Sequence, residues 1–277
     1  MNAATTPNDP VSTSHNSALN PAPDANPAPH ASPAPHASPA PHASPAPHAN
    51  PAPDTDRWVV CFDLGGVVVR IARDWNEGCA LAGVDVRQPD RFHEPGIKAK
   101  RRELADLYQR GAIDCDAFFA GVAEHTDGLY SADEIRTVHR AWIVDEYPGV
   151  APLIDELNAN PAVVTACLSN TNHSHWVEAL AGQGDHVPSQ AIAGLAHRLA
   201  SHDLGLIKPD PAIYRAAQQR FDAPPNRIVF FDDLEPNVAA ARAAGWNAHQ
   251  IDHTADTAQQ MRRILERLGV LPAPVAD

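Results

Sequence analysis

Four short segments of this chain end in residues that could act together on a phosphate group. Three of them are apolar runs followed by polar residues, and the other is built around a lysine. In chain order they are Val59–Val67 (VVCFDLGGV), Cys167–Thr171 (CLSNT), Ile207–Pro211 (IKPDP) and Val229–Asp233 (VFFDD). The apolar runs have the length of buried strands, and the carboxyl ends of parallel strands meet at one edge of a sheet. The polar residues are therefore predicted to converge.

The converging groups would be a carboxylate, a hydroxyl with an amide, a lysine and a second pair of carboxylates: Asp63, Ser169, Asn170, Lys208, Asp232 and Asp233. This set suits a magnesium-assisted attack of a carboxylate on phosphorus. Asp63 is the predicted nucleophile and would form an aspartyl-phosphate, which divides one difficult displacement into two easier ones. Repulsion between the nucleophile and an anionic substrate must be offset, and Mg²⁺ can do this.

The metal ligands are expected among the aspartates because Mg²⁺ prefers oxygen ligands. Asp63 can supply one and Asp233 is expected to supply another, while Asp232 either binds directly or orients a bound water. Two adjacent carboxylates buried at a strand end are costly without a cation, which favours a metal site. The alternative is a turn and helix cap before Pro236. Asn237, one helical turn beyond Asp233, is expected to steady the ligands.

Ser169 and Asn170 are expected to bind the phosphoryl oxygens, through the serine hydroxyl and the asparagine backbone N–H. Both lie where a helix is predicted to begin, and a helix N-terminus favours an anion. The alternative is a simple helix cap. Lys208 would neutralise charge on both the nucleophile and the phosphoryl group. The sequence Lys-Pro-Asp-Pro restrains the backbone at Lys208, so an inward role is expected rather than a surface charge.

With these motifs in this order, residues 57 to 270 resemble the haloacid dehalogenase (HAD) superfamily of phosphohydrolases. Within it, subfamily I and the branch of sugar-1-phosphate phosphatases are the most similar. The resemblance implies an α/β fold, with a Rossmann-like parallel sheet core and a small helical cap inserted after the first strand. It implies Mg²⁺-dependent hydrolysis of a small phosphorylated metabolite, with a sugar phosphate as one candidate. It also implies that the backbone carbonyl of Gly65 is a metal ligand.

Gly65 is also where the chain departs from the pattern of that superfamily. Most of its phosphatases carry a second aspartate two residues after the nucleophile, as general acid and then base, and such catalysis is typically worth about 10²–10⁴-fold. Three explanations stay open. The substrate has a good leaving group, such as an anomeric sugar hydroxyl; or His173 or His175 supplies the proton; or the protein is a weak or inactive relative that binds phosphate ligands.

A 2-haloacid dehalogenase is a further alternative, because those enzymes also lack the second aspartate and need no metal. The Asp232–Asp233 pair disfavours it, since a metal-free site that attacks a carboxylated substrate has no need for two extra carboxylates.

Strands alternate with helical patterns along the chain, which indicates βαβ units around a parallel sheet. Strands are predicted at Trp58–Phe62, Ala162–Leu168, Arg198–Ala200, Ile228–Phe231 and Asn247–Ile251. Residues 56–73 and 148–277 are predicted to form the α/β core. Residues 74–147 read as helices and form the predicted cap, a module that usually chooses the substrate in this superfamily.

Three signals inside the predicted cap are specific. Arg101–Tyr108 reads as a helix ended by Gly111. Asp114 or Asp116 is a candidate helix cap, and Ser131 with Glu134 makes a capping-box start. The basic run Lys98–Arg102 (KAKRR) could attract an anionic substrate; a solvated helix face is the alternative.

The first 55 residues differ in composition from the rest. A six-residue unit, Pro-Ala-Pro-His-Ala-Ser, repeats between Pro21 and Asp54. Alternating prolines exclude a helix or a central strand, so a disordered tail is predicted. Its recurring histidines leave a metal-binding or pH-sensitive role as the alternative to a plain spacer. Removing residues 1–55 is expected to leave catalysis unchanged.

Composition restricts the partners. The formal net charge is −13, whereas a general nucleic-acid binder needs a concentrated basic face. The four cysteines form no C-x-x-C pair and are expected to be structural thiols. The N-terminus lacks the pattern of a secretory signal, and no apolar run is long enough to span a bilayer. No membrane association and a cytoplasmic location are therefore predicted.

Overall fold

A five-stranded parallel sheet organises the computed structural model of this protein, which describes residues 56–181 and 189–273. Its strands, with the order β5-β4-β1-β6-β7 across the sheet, are β1 (Trp58–Phe62), β4 (Val163–Ser169), β5 (His197–Ala200), β6 (Ile228–Asp232) and β7 (Asn247–Gln250). These bounds lie within one residue of every predicted strand. The predicted α/β, Rossmann-like fold is confirmed.

The register of the three central strands aligns their carboxyl ends. Phe62 pairs with Cys167 of β4 on one side and with Phe231 of β6 on the other. The backbone N–H of Asp63 then donates to the carbonyl of Phe231 at 2.8 Å. Because the strands are parallel, the residues just beyond these pairs must lie at one edge of the sheet.

Helices cover both faces of this sheet. Alternate residues of β1 point to opposite faces: Val60 and Phe62 join one buried apolar cluster, and Val59 and Cys61 join another. From residue 150 onward the helices are α6 (Val150–Asn158), α7 (His173–Ala181), α8 (Gln190–Ala193), α9 (Ser201–Leu204), α10 (Pro211–Phe221), α11 (Glu235–Ala243) and α12 (Thr257–Arg267). The first cluster includes α6 and α12, and the second includes α10 and α11.

The predicted helical insertion after the first strand is present. It comprises α1 (Trp75–Ala82), α2 (Pro89–Phe92), α3 (Pro95–Gln109), α4 (Cys115–His125) and α5 (Ala132–Arg140). These helices have an apolar cluster of their own, which includes Phe92, Phe119, Tyr130, Ile135 and Val138. The insertion thus has a hydrophobic core separate from the two clusters that flank the sheet.

Two short strands lead into and out of this insertion. β2 (Val69–Ile71) pairs antiparallel with β3 (Ile143–Glu146). The expectation that residues 74–147 are all helical is therefore wrong at β3. The reason is tertiary: β-branched Ile143 pairs with Ile71, about seventy positions earlier in the chain, which no local pattern reveals.

The local helix signals of the insertion are confirmed. Asp114 caps α4, with its carboxylate accepting from the Ala117 N–H at 2.8 Å. Ser131 and Glu134 form a capping box at the start of α5. Gly111, just beyond α3, has a φ of +67°, a backbone conformation that residues with a Cβ rarely adopt.

All four cysteines are free thiols, and Cys61, Cys79 and Cys167 are buried. The predicted tail of residues 1–55 lies outside the described residues. In the described part of the chain, no helix is both long and apolar enough to cross a membrane.

Candidate active site

Lys208 joins two carboxylates at the carboxyl edge of the sheet. Its Nζ atom lies 2.9 Å from Oδ1 of Asp63 and 2.7 Å from Oδ2 of Asp232. The side chains of Lys208 and Asp232 are fully buried, and that of Asp63 is 11% exposed. The lysine thus points inward, as the restrained backbone of its motif predicts.

The charges of this cluster shift one another. Burial, helped by the nearby Asp232, raises the pKa of Asp63 to about 7, although Lys208 opposes the shift. Burial and Asp232 also raise the pKa of Asp233. For Lys208, burial opposes the charged form, but Asp232 and Asp63 outweigh it and raise the pKa above its ordinary value. The Lys208 ammonium is therefore charged, but its single positive charge does not balance the negative charge of the carboxylates around it.

The hydrogen bonds to Asp232 occupy both of its oxygens. Oδ1 accepts from the Leu234 N–H at 2.9 Å, and Oδ2 accepts from Lys208. The amide of Asn237 donates to both oxygens, at 3.0 and 3.1 Å. Asn237 therefore lies in the cluster as expected, but it steadies Asp232 rather than Asp233.

Asp233 presents a less engaged carboxylate beside Gly66. Oxygens of Asp63, Asp232 and Asp233 all lie within 4.8 Å of one another. A Cβ placed on Gly66 would lie 2.6 Å from Oδ2 of Asp233, and Gly66 has a φ of +79°. Only glycine leaves Asp233 room to join the other two aspartates.

These residues fit a hard divalent cation. The three carboxylates carry three negative charges against the single ammonium of Lys208, which leaves a formal charge of −2 in a largely buried cluster. Such a charge is costly without a further cation. Carboxylate oxygens are the ligands that Mg²⁺ prefers.

Asn170 fixes the backbone of Lys208. Its Nδ2 donates to the Lys208 carbonyl at 2.9 Å, and its Oδ1 accepts from the Lys208 N–H at 2.8 Å. Ser169 is buried at the end of β4, directly before it. The structure therefore brings Ser169, Asn170 and Lys208 to the same edge as Asp63.

Ile71 occupies the space above Gly65. A Cβ on Gly65 would lie 3.1 Å from Cδ1 of Ile71. Gly65 also forms a bridge with Val69. The position where the superfamily pattern has its second aspartate is thus covered by an apolar side chain of β2.

The two histidines considered as proton donors are placed differently. His173 is exposed at the start of α7. His175 lies farther in, and its ring stacks on His139 with centroids 3.7 Å apart. Its Nε2 lies 2.7 Å from the carbonyl of His139, so this nitrogen carries a proton and donates it.

Asn172 contacts both rings of this histidine pair. Its Oδ1 accepts from the His175 N–H at 3.0 Å, so its Nδ2 is the group that faces both rings. Nδ2 lies 3.3 Å from Nε2 of His139 and 3.3 Å from Nδ1 of His175. The Asn172 amide thus faces a nitrogen of each ring, and burial lowers the pKa of His139 well below its usual range. Neither nitrogen of His175 is placed to protonate a leaving group.

A cavity of about 360 Å³ lies beside the carboxylate cluster. Leu64 and Gly65 line it, as do Ser169 and Asn170. Most of the remaining wall is apolar or aromatic and comes from the helical insertion, β2 and α7. Arg101 is the single lysine or arginine among the described residues that line this cavity.

Sequence reasoning identified the residues of the motifs but missed much of the wall. His139, Asn172, Trp75, Trp142 and Ile71 belong to no motif and come together only through tertiary packing. The basic run Lys98–Arg102 did indicate a cation near the predicted substrate site. Of its cations, however, Arg101 alone lines the cavity, and the others are exposed.

Comparisons with known proteins indicate the family of this chain. Residues 59–245 match the family model of haloacid dehalogenase-like hydrolases. Phosphatase MT3486 of Mycobacterium tuberculosis (strain CDC 1551 / Oshkosh) is 34% identical over 156 residues, which cover 56% of this chain and 69% of that protein.

Two solved structures share the fold. A HAD family enzyme from Bacteroides thetaiotaomicron, in complex with magnesium and inorganic phosphate, has a TM-score of 0.57 and 20% identity, covering 74% of this chain and all of that one. A dehalogenase has a TM-score of 0.51 and 21% identity, covering 72% of this chain and 86% of its own. From the family match and the bacterial relative, we conclude that the chain belongs to the haloacid dehalogenase-like hydrolases.

Proposed function

We propose that this protein is a Mg²⁺-dependent phosphatase that hydrolyses a small phosphomonoester through an aspartyl-phosphate. The observation that carries the proposal is the cluster of Asp63, Asp232 and Asp233 around Lys208. The phosphatase relative supports the same reaction. A dehalogenase is disfavoured because its chemistry has no use for the two carboxylates beyond the nucleophile.

Asp63 is the nucleophile in this proposal. Its Oδ1 accepts from the Leu64 N–H at 2.7 Å and contacts Lys208. In the described part of the chain both contacts fall on Oδ1, so Oδ2 is available to attack phosphorus. The attack forms the Oδ2–P bond and breaks the bond from phosphorus to the ester oxygen, which leaves as an alkoxide or phenolate and takes its proton from solvent water. Water then attacks phosphorus, breaks the P–Oδ2 bond, releases inorganic phosphate and restores the carboxylate.

Asp63, Asp233 and the Gly65 carbonyl would hold the metal. Bound there, Mg²⁺ would offset the negative charge of the cluster and polarise the phosphoryl group. Asp232 is better suited to orient Lys208, since both of its oxygens already accept hydrogen bonds. Of the two roles left open for Asp232 by the sequence, direct ligation is thus disfavoured, and its hydrogen bonds assign it a positioning role toward Lys208.

Ser169 and Lys208 bind the phosphoryl oxygens in this scheme, together with the backbone N–H of Asn170. The Asn170 side chain has a separate task, because its amide is committed to the backbone of Lys208. The ammonium is thereby held between the nucleophile and the site of the transferring phosphoryl group.

The leaving group departs without a protein acid in this proposal. Ile71 covers Gly65, His173 is exposed, and His175 is committed to its neighbours. Of the three explanations for Gly65, this arrangement favours a substrate whose leaving oxygen needs little protonation. An anomeric sugar hydroxyl and a phenol both meet that condition.

Phosphate release from a panel of monoesters tests the proposal, with Mg²⁺ added or removed by a chelator. The panel pairs sugar 1-phosphates with their 6-phosphates and includes phenyl phosphate, and D63N is the blank. Turnover that requires Mg²⁺ and favours the better leaving groups is the expected result. Release without metal would contradict the metal role, and no release from any ester would support a phosphate-binding protein instead.

A further inference from the structure

The cavity beside Asp63 is better suited to an apolar group than to a sugar. Its wall includes the aromatic side chains of Trp75, Tyr108, Phe118, Trp142 and Trp176. Sugar hydroxyls need polar partners when they are removed from water, and an unpartnered hydroxyl is costly. The volume of about 360 Å³ is that of a small-ligand pocket.

Several polar groups of this wall are already engaged. The imidazoles of His139 and His175 face each other and Asn172. The Asn170 amide is engaged with the backbone of Lys208. The wall thus offers mainly apolar surface together with the guanidinium of Arg101.

In the described part of the chain, several arginines of the helical insertion pair with carboxylates, whereas Arg101 does not. Arg87, Arg91 and Arg136 each pair with a carboxylate, of Glu134, Asp127 and Asp116 respectively. Among the described residues, Arg101 has no such ion pair. Its guanidinium carbon lies 3.6 Å from the centroid of the Phe92 ring, and Nη2 donates to the Phe92 carbonyl at 3.0 Å.

One donor of Arg101 is left over. The Nε atom is buried, and the structure of the described residues gives it no hydrogen-bond partner. Burial also lowers the pKa of this guanidinium, although arginine stays charged in proteins. Arg101 is partly buried and lines the cavity, so an anion bound there would pair with a guanidinium that lacks a carboxylate partner among the described residues.

We propose that the ester group of the substrate is an apolar, ring-sized moiety that carries a carboxylate, which pairs with Arg101. The inference rests on the proposed phosphatase function and narrows its substrate to phosphate esters of apolar hydroxy acids. The phosphate lies at the carboxyl edge of the sheet, the ring fills the aromatic part of the cavity, and the carboxylate meets the guanidinium. A phenolic acid combines this shape with a leaving oxygen that needs little protonation.

Two matched esters test the assignment: 4-carboxyphenyl phosphate and 4-carbamoylphenyl phosphate, compared by kcat/KM with the full-length protein and Mg²⁺. The carboxamide withdraws electrons more strongly, so leaving-group chemistry alone favours the amide. A charge-assisted hydrogen bond corresponds to roughly 10- to 100-fold. The expected result is a preference of that size for the carboxylate, through a lower KM.

Substitutions at two neighbouring positions test whether Arg101 causes this preference. R101Q is expected to abolish it, and R101K is expected to keep part of it. R102Q is the matched control, because Arg102 is an exposed residue next along α3; it is expected to retain the preference. Equal kcat/KM for the two esters in the wild-type protein, or a preference that survives R101Q, would overturn the assignment.

A binding measurement separates this inference from the proposed function. Calorimetric titration with 4-hydroxybenzoate and 4-hydroxybenzamide needs no turnover. Tighter binding of the carboxylate by the wild-type protein, lost in R101Q, would support the Arg101 site even if no ester releases phosphate. Equal binding of the two compounds would overturn it even in an active phosphatase.

Discussion

The amide of Asn170 forms two hydrogen bonds with the backbone of Lys208, one as donor at 2.9 Å and one as acceptor at 2.8 Å. The two residues are 38 positions apart and follow different elements of the fold. The pair ties the end of β4 to the loop that carries the lysine. Lys208 in turn contacts Asp63 and Asp232. Asn170 is therefore a positioning residue for the ammonium.

N170A is expected to reduce kcat by about tenfold or more, because two hydrogen bonds of roughly 1 kcal/mol each then no longer hold the lysine backbone. Phosphate release from a substrate found in the panel measures the effect. N158A is the matched control: its amide also makes two side-chain hydrogen bonds, to Gly194 and Thr165, away from the site. A comparable loss of kcat in both variants would show a general effect on stability instead.

G66A is expected to weaken Mg²⁺ binding by at least about tenfold, because its methyl group displaces the carboxylate of Asp233, and the left-handed backbone adds strain of roughly 1–2 kcal/mol. Calorimetric titration with Mg²⁺ measures this. G83A is the matched control, since Gly83 has a similar left-handed backbone (φ +66°) and a Cβ there meets no atom within 4 Å. Equal metal affinities in the two variants would exclude Asp233 as a ligand.

The residues that local patterns could identify are those that strand ends bring together. Asp63, Ser169 and Asp232 each terminate or follow an apolar run, and the parallel register then aligns them without further information. Lys208 was identifiable because prolines restrain its motif. These features depend on a few neighbouring residues, and the structure agrees with them.

Features that depend on distant pairing could not be predicted. β3 is a strand because it pairs with β2, and Asn172 contacts His139 across 33 positions. The basic run predicted a positive surface, but its helical phase relative to the cavity decides that Arg101 points inward and Arg102 outward. That phase is determined by the packing of α3 against its neighbours, which a single sequence does not encode in any local pattern.

E134Q is expected to destabilise the helical insertion by up to about 1 kcal/mol, because glutamine can keep the capping box with Ser131 but loses the ion pair with Arg87. The hydrogen bond from Arg87 lowers the pKa of Glu134 to about 2 in the folded protein. A depressed carboxyl pKa contributes stability above the unfolded value of roughly 4.3 and loses it as the pH falls.

Urea unfolding of wild type and E134Q between pH 7 and pH 2 measures this contribution. The difference in the free energy of unfolding is expected to be complete at neutral pH and to shrink as the pH falls below the unfolded pKa. D133N is a control on the same helix turn, because Asp133 makes no side-chain ion pair with a described residue at its carboxylate. A difference that does not depend on pH would mean that the charge of Glu134 contributes nothing.

K208M is expected to abolish turnover and to destabilise the metal-free protein by roughly 3–5 kcal/mol, because buried Asp63 and Asp232 then lose their shared cation. Phosphate release and urea unfolding measure the two effects. The double variant K208M/D232N removes one of the abandoned charges, so part of the stability is expected to return while activity does not. Recovery of activity together with stability would make Lys208 a structural cation only, and wild-type turnover in K208M would remove it from the site.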